Sequence, residues 1–252
     1  MVSRTLSVHK EHELLLKLET AGLTDDFAQR VIDSKGNNLA TKMVRMIQKN
    51  GGFELTTSQK RAREIMGCNF FGIEEAQRCL GVNPSQYQLV MLAEIPFSEA
   101  VLEESKNTHI LVAVFPLSIL KIRNQIASKL FYNQSWYNKE LFAKERGKVS
   151  WQLVRKTPVD NSTSKKWKEQ QALIGEDDEV PTAQVIVYTI IGYYLATGER
   201  LFKHIYVRTS SVFSDGNHVA FSRFGSFGLD VLYDWDIIRY DCLGVSSARK
   251  KF

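Results

Sequence analysis

The chain predicts an α+β protein: a helical front part, then a mostly antiparallel sheet of about five strands packed on one buried central helix. Three observations carry that expectation. The segment PTAQVIVYTIIGYYLAT, from Pro181 to Thr197, is apolar on nearly every face and is followed by Gly198. The first hundred residues read as a succession of helices. The C-terminal stretch alternates apolar and polar residues around Asp215-Gly216, a hairpin signal.

Proline at the first helical position and glycine beyond the last mark Pro181 to Thr197 as one helix. A helix apolar all round leaves no face for water and has to be buried. The run is interrupted by Thr182, Gln184, Thr189 and Thr197 and falls short of the roughly 20 apolar residues that span a bilayer. It reads as the centre of a water-excluding core.

Taken in order, HKEHELLLKLETAG clusters leucines and closes on glycine, and Thr24 opens TDDFAQRVID with two aspartates where the helix dipole favours them. NNLATKMVRMIQKNGG spaces Leu39, Met43, Met46 and Ile47 for one buried face. Thr57 or Ser58 is placed to cap SQKRAREIMG, and Ile73 to Leu80 and Ser85 to Ile95 form two more helices around GVNP. Ile110 to Phe115 is a continuous apolar run, as in a strand buried on both faces. LSILKIRNQIASKLF returns to helical spacing, and Trp151, Leu153 and Arg155 alternate along a strand. Thr163 or Ser164 is placed to cap SKKWKEQQALI. HIYVRTSSVF, HVAFSRF and GLDVLYDW complete the β region. The expected organisation is a helical, basic region over residues 1–68 and an α+β core over 69–252, with KNGGFELTTS (Lys49 to Ser58) the one stretch of linker-like composition.

The 252 residues carry a net charge of +5, a balance that permits polyanion binding without demanding it. Cys68, Cys79 and Cys242 are an odd set without CxxC spacing, which argues against a disulfide framework or structural zinc and for a reducing interior; Cys68 and Cys79 read as core thiols. The N-terminus turns charged at once and lacks the apolar run of a signal peptide, so the expected location is the cytoplasm, without a membrane partner. Walker, G-x-G-x-x-G, G-x-S-x-G and H-E-x-x-H signatures are absent, and no cofactor is expected.

Within residues 73–92, IEEAQRCLGVNPSQYQLVML resembles a helix-turn-helix: Ala76 allows close approach, Gly81 takes the turn, and Ser85, Gln86 and Gln88 open the helix that would meet base edges. That second helix has no Lys or Arg; Lys60, Arg61 and Arg63 just upstream would supply the phosphate contacts. A helical hairpin packed into the core is the competing reading. Lys148 to Lys168 interleaves cations with Trp151 and Trp167, a pattern suited to single-stranded nucleic acid, although Trp151 shares a strand face with Leu153. Strand alternation turns Arg155 to that same face, where a guanidinium needs a partner. Arg155, Lys156, Ser162, Ser164 and Arg208 are therefore candidates for an anion pocket, against the competing reading of ion pairs to Asp234, Asp236 or Glu199. His109, His204 and His218 are candidate general bases without an identified nucleophile. Asp230, Asp234, Asp236 and Asp241 lack calcium-loop spacing.

From about Asn69 onward the chain resembles a group of bacterial hypothetical proteins of unassigned activity. The segments that carry the resemblance include FFGIEEAQRCLGVNPSQYQLVMLAEIPFSEAVLEE, WQLVRKTPVDNST, VPTAQVIVYTIIGYYLATGERLF and LGVSSARK. The resemblance implies a bacterial, cytoplasmic protein and transfers no reaction or ligand. Three functional expectations follow: binding of DNA, RNA or another polyanion; an enzyme or small-ligand binder with an anion pocket at Arg155 and Arg208; and a scaffold or oligomer subunit that uses exposed Phe and Tyr near the C-terminus.

Overall fold

The computed structural model describes residues 7–49 and 56–251. The chain divides into two compact units, Met1–Phe53 and Glu54–Phe252. The first holds α1 (Val8–Thr20), α2 (Asp25–Ile32) and α3 (Asn38–Lys49). Ser7 and Thr24 cap α1 and α2 by accepting the Lys10 and Phe27 amide protons. Helices α2 and α3 pack on each other, yet no residue of α1 or α2 is buried. Leu39, expected on a buried face, is exposed. The side chains of Met46 and Ile47, and most of the Lys49–Ser58 stretch, lie outside the described residues.

The larger unit opens with β1 (Thr57–Ser58), α4 (Gln59–Met66), β2 (Phe70–Phe71), α5 (Ile73–Leu80), α6 (Gln86–Met91), β3 (Glu94–Ile95), α7 (Glu99–Ser105) and β4 (His109–Val114). Short turns α8 (Ile119–Lys121) and α9 (Leu141–Lys144) lead to β5 (Ser150–Arg155), α10 (Trp167–Gln171), β6 (Asp178–Glu179) and α11 (Ala183–Thr197). Strands β7 (Tyr206–Val212), β8 (His218–Gly225), β9 (Gly228–Leu232), β10 (Leu243–Val245) and β11 (Ala248–Arg249) follow. The helix carrying Lys60, Arg61 and Arg63 belongs to this unit, because Ala62, Ile65 and Met66 join its core.

The fold is α+β, but the strands form two main sheets rather than one. A five-stranded sheet has the order β2-β4-β5-β11-β6, a four-stranded sheet the order β10-β7-β8-β9, and β1 pairs with β3. Pairing is antiparallel except for β2–β4 and β10–β7. Residues 243–249 leave one sheet and enter the other. Ser246 donates its amide to the Arg208 carbonyl at 3.1 Å, and Arg155 donates to the Ser247 carbonyl at 2.9 Å.

Several local expectations shift for identifiable reasons. Thr182, not Pro181, bounds α11: its hydroxyl accepts the Val185 amide proton, and Gly198 closes the helix in the left-handed region. Ser58 caps α4. Neither Thr163 nor Ser164 caps α10, because Ser164 sits at φ 55° and gives its amide to Tyr240, leaving Lys166 at the cap. The helix from Ser85 stops at Met91 because Glu94 and Ile95 pair with β1. The run after Leu117 breaks at Ala127, whose φ of −138° leaves helical space. Cys68 is exposed; Cys79 packs against the core.

Helix α11 touches both sheets, through β2, β4 and β5 on one and β7 and β8 on the other, while α5, α8 and α9 close its flanks. Every residue from Ala183 to Tyr193 is buried. Its polar donors find partners, Tyr188 donating to the Ala113 carbonyl at 3.0 Å, Gln184 Nε2 to those of Phe115 and Leu117, and Thr189 to Val185, while Gln184 Oε1 is buried without a hydrogen-bond partner among the described residues. Gly192 permits the approach of β2, since a Cβ there would lie 2.8 Å from the Phe71 ring.

Gly192→Ala is expected to destabilise the protein by ~1–3 kcal/mol through overpacking, read as a lower urea midpoint at unchanged slope. An unchanged midpoint would contradict the packing described. His109 supplies a second test. It is buried opposite Arg155, and burial, reinforced by Arg249 and Arg155, lowers its pKa to about 4. Its neutral form therefore stabilises the fold above the unfolded pKa of about 6.5, and that contribution, ~2–3 kcal/mol, is lost as pH falls from about 6.5 towards 4. His109→Gln should flatten this part of the stability–pH curve measured by urea denaturation.

Candidate anion-binding cleft

The cationic residues singled out by sequence are mostly engaged within the fold. Arg61 bonds Glu99 at 3.0 Å and Glu64 at 3.3 Å. Arg63 bonds Glu75 at 2.6 Å and Glu74 at 3.0 Å. Burial alone would raise the Glu75 pKa, but the Arg63 guanidinium and the Gly72 amide outweigh it and hold the carboxyl below its ordinary range. Of that cluster, Lys60 alone lacks a carboxylate partner among the described residues. In the helix pair, Ala76 is buried and Gly81 makes the left-handed turn. Ser85 and Gln88 cap each other's amides, which leaves Gln86 beside exposed Tyr87, Val90 and Met91 on a helix that buries nothing.

Arg155 and Arg208 do not converge on a pocket. Arg155 stands on the five-stranded sheet, paired with Asp160 at 2.7 Å rather than with Asp234, Asp236 or Glu199. Arg208, on the four-stranded sheet, is 1% exposed and donates to Gln170 Oε1 and to the carbonyls of Lys165, Trp235 and Ile238. Burial pulls its pKa down, opposed by Asp236 and Asp234. Lys156 donates to Asn69, and buried Ser162 accepts the Val245 amide proton. Ser164 is exposed. These are the ties of a structural network.

His218 meets Asp236 at 2.7 Å through Nδ1 and stacks on Trp167, with ring centroids 3.8 Å apart. No hydroxyl or thiol side chain bonds its other ring nitrogen among the described residues. No cluster of three metal-ligating side chains occurs there either, and no described helix is long and apolar enough to cross a membrane.

A cleft of about 480 Å³ between the α11–β7 connection and the β8–β9 turn gathers what those sites lack. Lys203, His204 and Arg223 line it, together with Tyr132, Phe227, Tyr206 and Asp230. None of the three basic side chains has a carboxylate ion pair among the described residues. Tyr132 and Phe227 are exposed, Phe227 at 83%. The Tyr206 hydroxyl bonds Asp230 Oδ2; burial, then the carboxylate, pushes the tyrosine pKa above its ordinary range. Asp230 Oδ1 is buried without a hydrogen-bond partner.

The backbone here is strained and pinned. Phe202, Ser222 and Arg223 have φ of 50°, 137° and 46°, each of which costs on the order of 1–3 kcal/mol outside glycine. The bulge in β8 is held by buried Ser222, which donates to the Phe202 carbonyl at 2.8 Å, and by the Arg223 amide on the Ile205 carbonyl at 3.1 Å. Arg200 grips the Gly225 carbonyl at 2.6 Å while lying against the Tyr194 and Phe224 rings. Such strain persists where surrounding contacts over-determine it, and it holds Arg223 at the cleft. Tyr132 arrives by another route. Its amide donates to the Leu229 carbonyl, and the Gln134 side chain bonds both the amide and the carbonyl of Val231, as a neighbouring strand would.

A larger cleft, about 550 Å³, lies beside the N-terminus of α11, where Glu140 takes both donors of Ser214 and Ser211 accepts the Ala183 amide proton. The one cation among its described lining residues, Lys139, stands with the carboxylates of Glu140 and Glu145, an unfavourable lining for an anion. Sequence reasoning missed the smaller cleft because nothing in SRFGSFGLD announces a left-handed arginine; the closely spaced Gly225 and Gly228 around an aromatic were the available signal. No family model matches the chain, and no curated protein or solved structure is similar to it.

Gly228 has φ 97°, and a Cβ there would lie 2.6–2.9 Å from backbone atoms of Leu130, Phe131 and Tyr132. Gly228→Ala should therefore free the 130–132 segment, seen as faster hydrogen exchange at the Tyr132 amide than in the parent protein. Retained protection would show that the segment is anchored elsewhere.

Proposed function

We propose that this protein binds phosphate-bearing polyanions, with single-stranded nucleic acid as the ligand class, at the cleft lined by Lys203, His204 and Arg223. The observation that carries the reading is that two basic side chains and a histidine, without a carboxylate ion pair among the described residues, line one cleft together with the exposed side chains of Tyr132 and Phe227. Phosphates gain from unpaired cations through counterion release. Bases stack on aromatic faces without regard to sequence. Asp230 offsets part of the positive charge, but its Oδ2 is held by Tyr206. The volume falls within the range of about 300–1,000 Å³ typical of ligand sites, room for a nucleotide-sized group.

The overall charge of +5 agrees with this reading without carrying it. Arg61, Arg63 and Arg155 are already neutralised, so the Lys60 cluster and the Arg155 region contribute little to it. The pinned backbone around Arg223 also favours a second reading, a binder of one small anionic ligand, because pre-organised sites suit compact guests.

Titration of a labelled single strand by fluorescence anisotropy between about 50 and 200 mM salt separates the two readings. The polyanion reading expects steep salt dependence, with the slope reduced by about 2 in the Lys203→Glu/Arg223→Glu variant. Tyr132→Ala should weaken binding by ~1–3 kcal/mol, and Lys60→Glu should leave it unchanged. Equal affinity for a mononucleotide and for the strand selects the small-ligand reading. Undetectable binding at low salt, or binding indifferent to the cleft variants, rejects the site.

A further inference from the structure

We infer that the N-terminal unit is a self-association module, in which α1 and α2 of one chain pack on α3 of a second copy. This does not depend on the cleft. The described part of the unit has the form of folded helices without the interior that would hold them together. Helices α1 and α2 bury no residue, and Leu14, Leu15, Phe27, Ile32, Leu39 and Val44 are all exposed, Ile32 at 73%. These positions are patterned. Phe27 and Val31 are neighbours on one face of α2 with Ile32 on its flank, and Leu14 and Leu18 are neighbours on one face of α1 with Leu15 beside them. A unit this small cannot offset the entropy of ordering its backbone without burying such faces.

The charges say what covers them. Between Ser7 and Asp33 the sequence holds six acids against three Lys or Arg residues. Between Ser34 and Lys49 it holds four Lys or Arg residues and no acid. The unit is therefore acidic over its first two helices and basic over its third. A two-fold arrangement sets each acidic half on the other copy's basic half, and it does so twice, which is the self-complementarity an isologous interface requires. A uniformly acidic or basic partner would match one half and repel the other.

Sedimentation equilibrium of the full chain over about 0.1–100 μM, bracketing a micromolar Kd, tests this. A dimer is expected. Phe27→Ser with Ile32→Ser should render it monomeric throughout. Lys35→Glu with Lys42→Glu, and separately Glu13→Lys with Asp26→Lys, should each weaken association at least about tenfold. The two charge-reversed chains, mixed in equal amounts, should recover the parent affinity as a heterodimer, which a merely unfolded N-terminal unit would not do. A chain that stays monomeric at every concentration overturns the inference. A dimer that ignores all three sets of substitutions, or a mixture that fails to recover, overturns it equally.

Discussion

The burial of α11 on every side is the constraint from which the larger unit follows. One sheet can cover only one side of a helix, and Ala183 to Tyr193 leave no side that tolerates water. The second sheet and the flanking α5, α8 and α9 are what that sequence demands. The same burial makes Gln184, Tyr188 and Thr189 place their donors locally, the first two on the backbone of β4 and the turn after it. Because Gly198 ends the helix abruptly, the chain returns to β7 through a short connection. That connection carries Lys203 and His204 to the edge of the four-stranded sheet.

Net charge is a poor guide to this surface because so much of the arginine is internal to the fold. Arg61, Arg63, Arg155, Arg239 and Arg249 all meet carboxylates. Arg200 and Arg208 are taken up by carbonyls and rings. A planar guanidinium with several donors suits such bridging, and the result is a basic chain much of whose arginine charge is engaged within the fold. Lys203, His204 and Arg223 are not tied up in this way: none of them meets a carboxylate in an ion pair among the described residues.

What the sequence revealed and what it hid divide along physical lines. Signals confined to one segment were legible: the apolar run of α11, the continuous apolar strand β4, the caps at Thr24 and Ser58, and the turn at Asp215-Gly216. Long-range choices were not. The split into two sheets rests on β10 and β11, three and two residues long, too short to show a period. The partner of Arg61 lies at Glu99, and no local pattern indicates it. The cleft was hidden for a different reason. It depends on Arg223 and Phe202 adopting conformations that their own residue types resist, imposed by Ser222 and Arg200 from elsewhere in the fold.

The crossing of residues 243–249 from one sheet to the other bears on how the molecule is assembled in time. Strand β11 inserts between β5 and β6, and β10 closes against β7, so neither sheet is complete until the chain has been made through Arg249. Partners separated by so much intervening chain meet late and slowly, because the loop between them has to be closed before any contact rewards it. Until then Val154 and Glu179 lack the strand that will separate them, and an open β-edge runs along the middle of the larger sheet. The nascent molecule thus passes through a stage at which a foreign strand would fit where its own belongs.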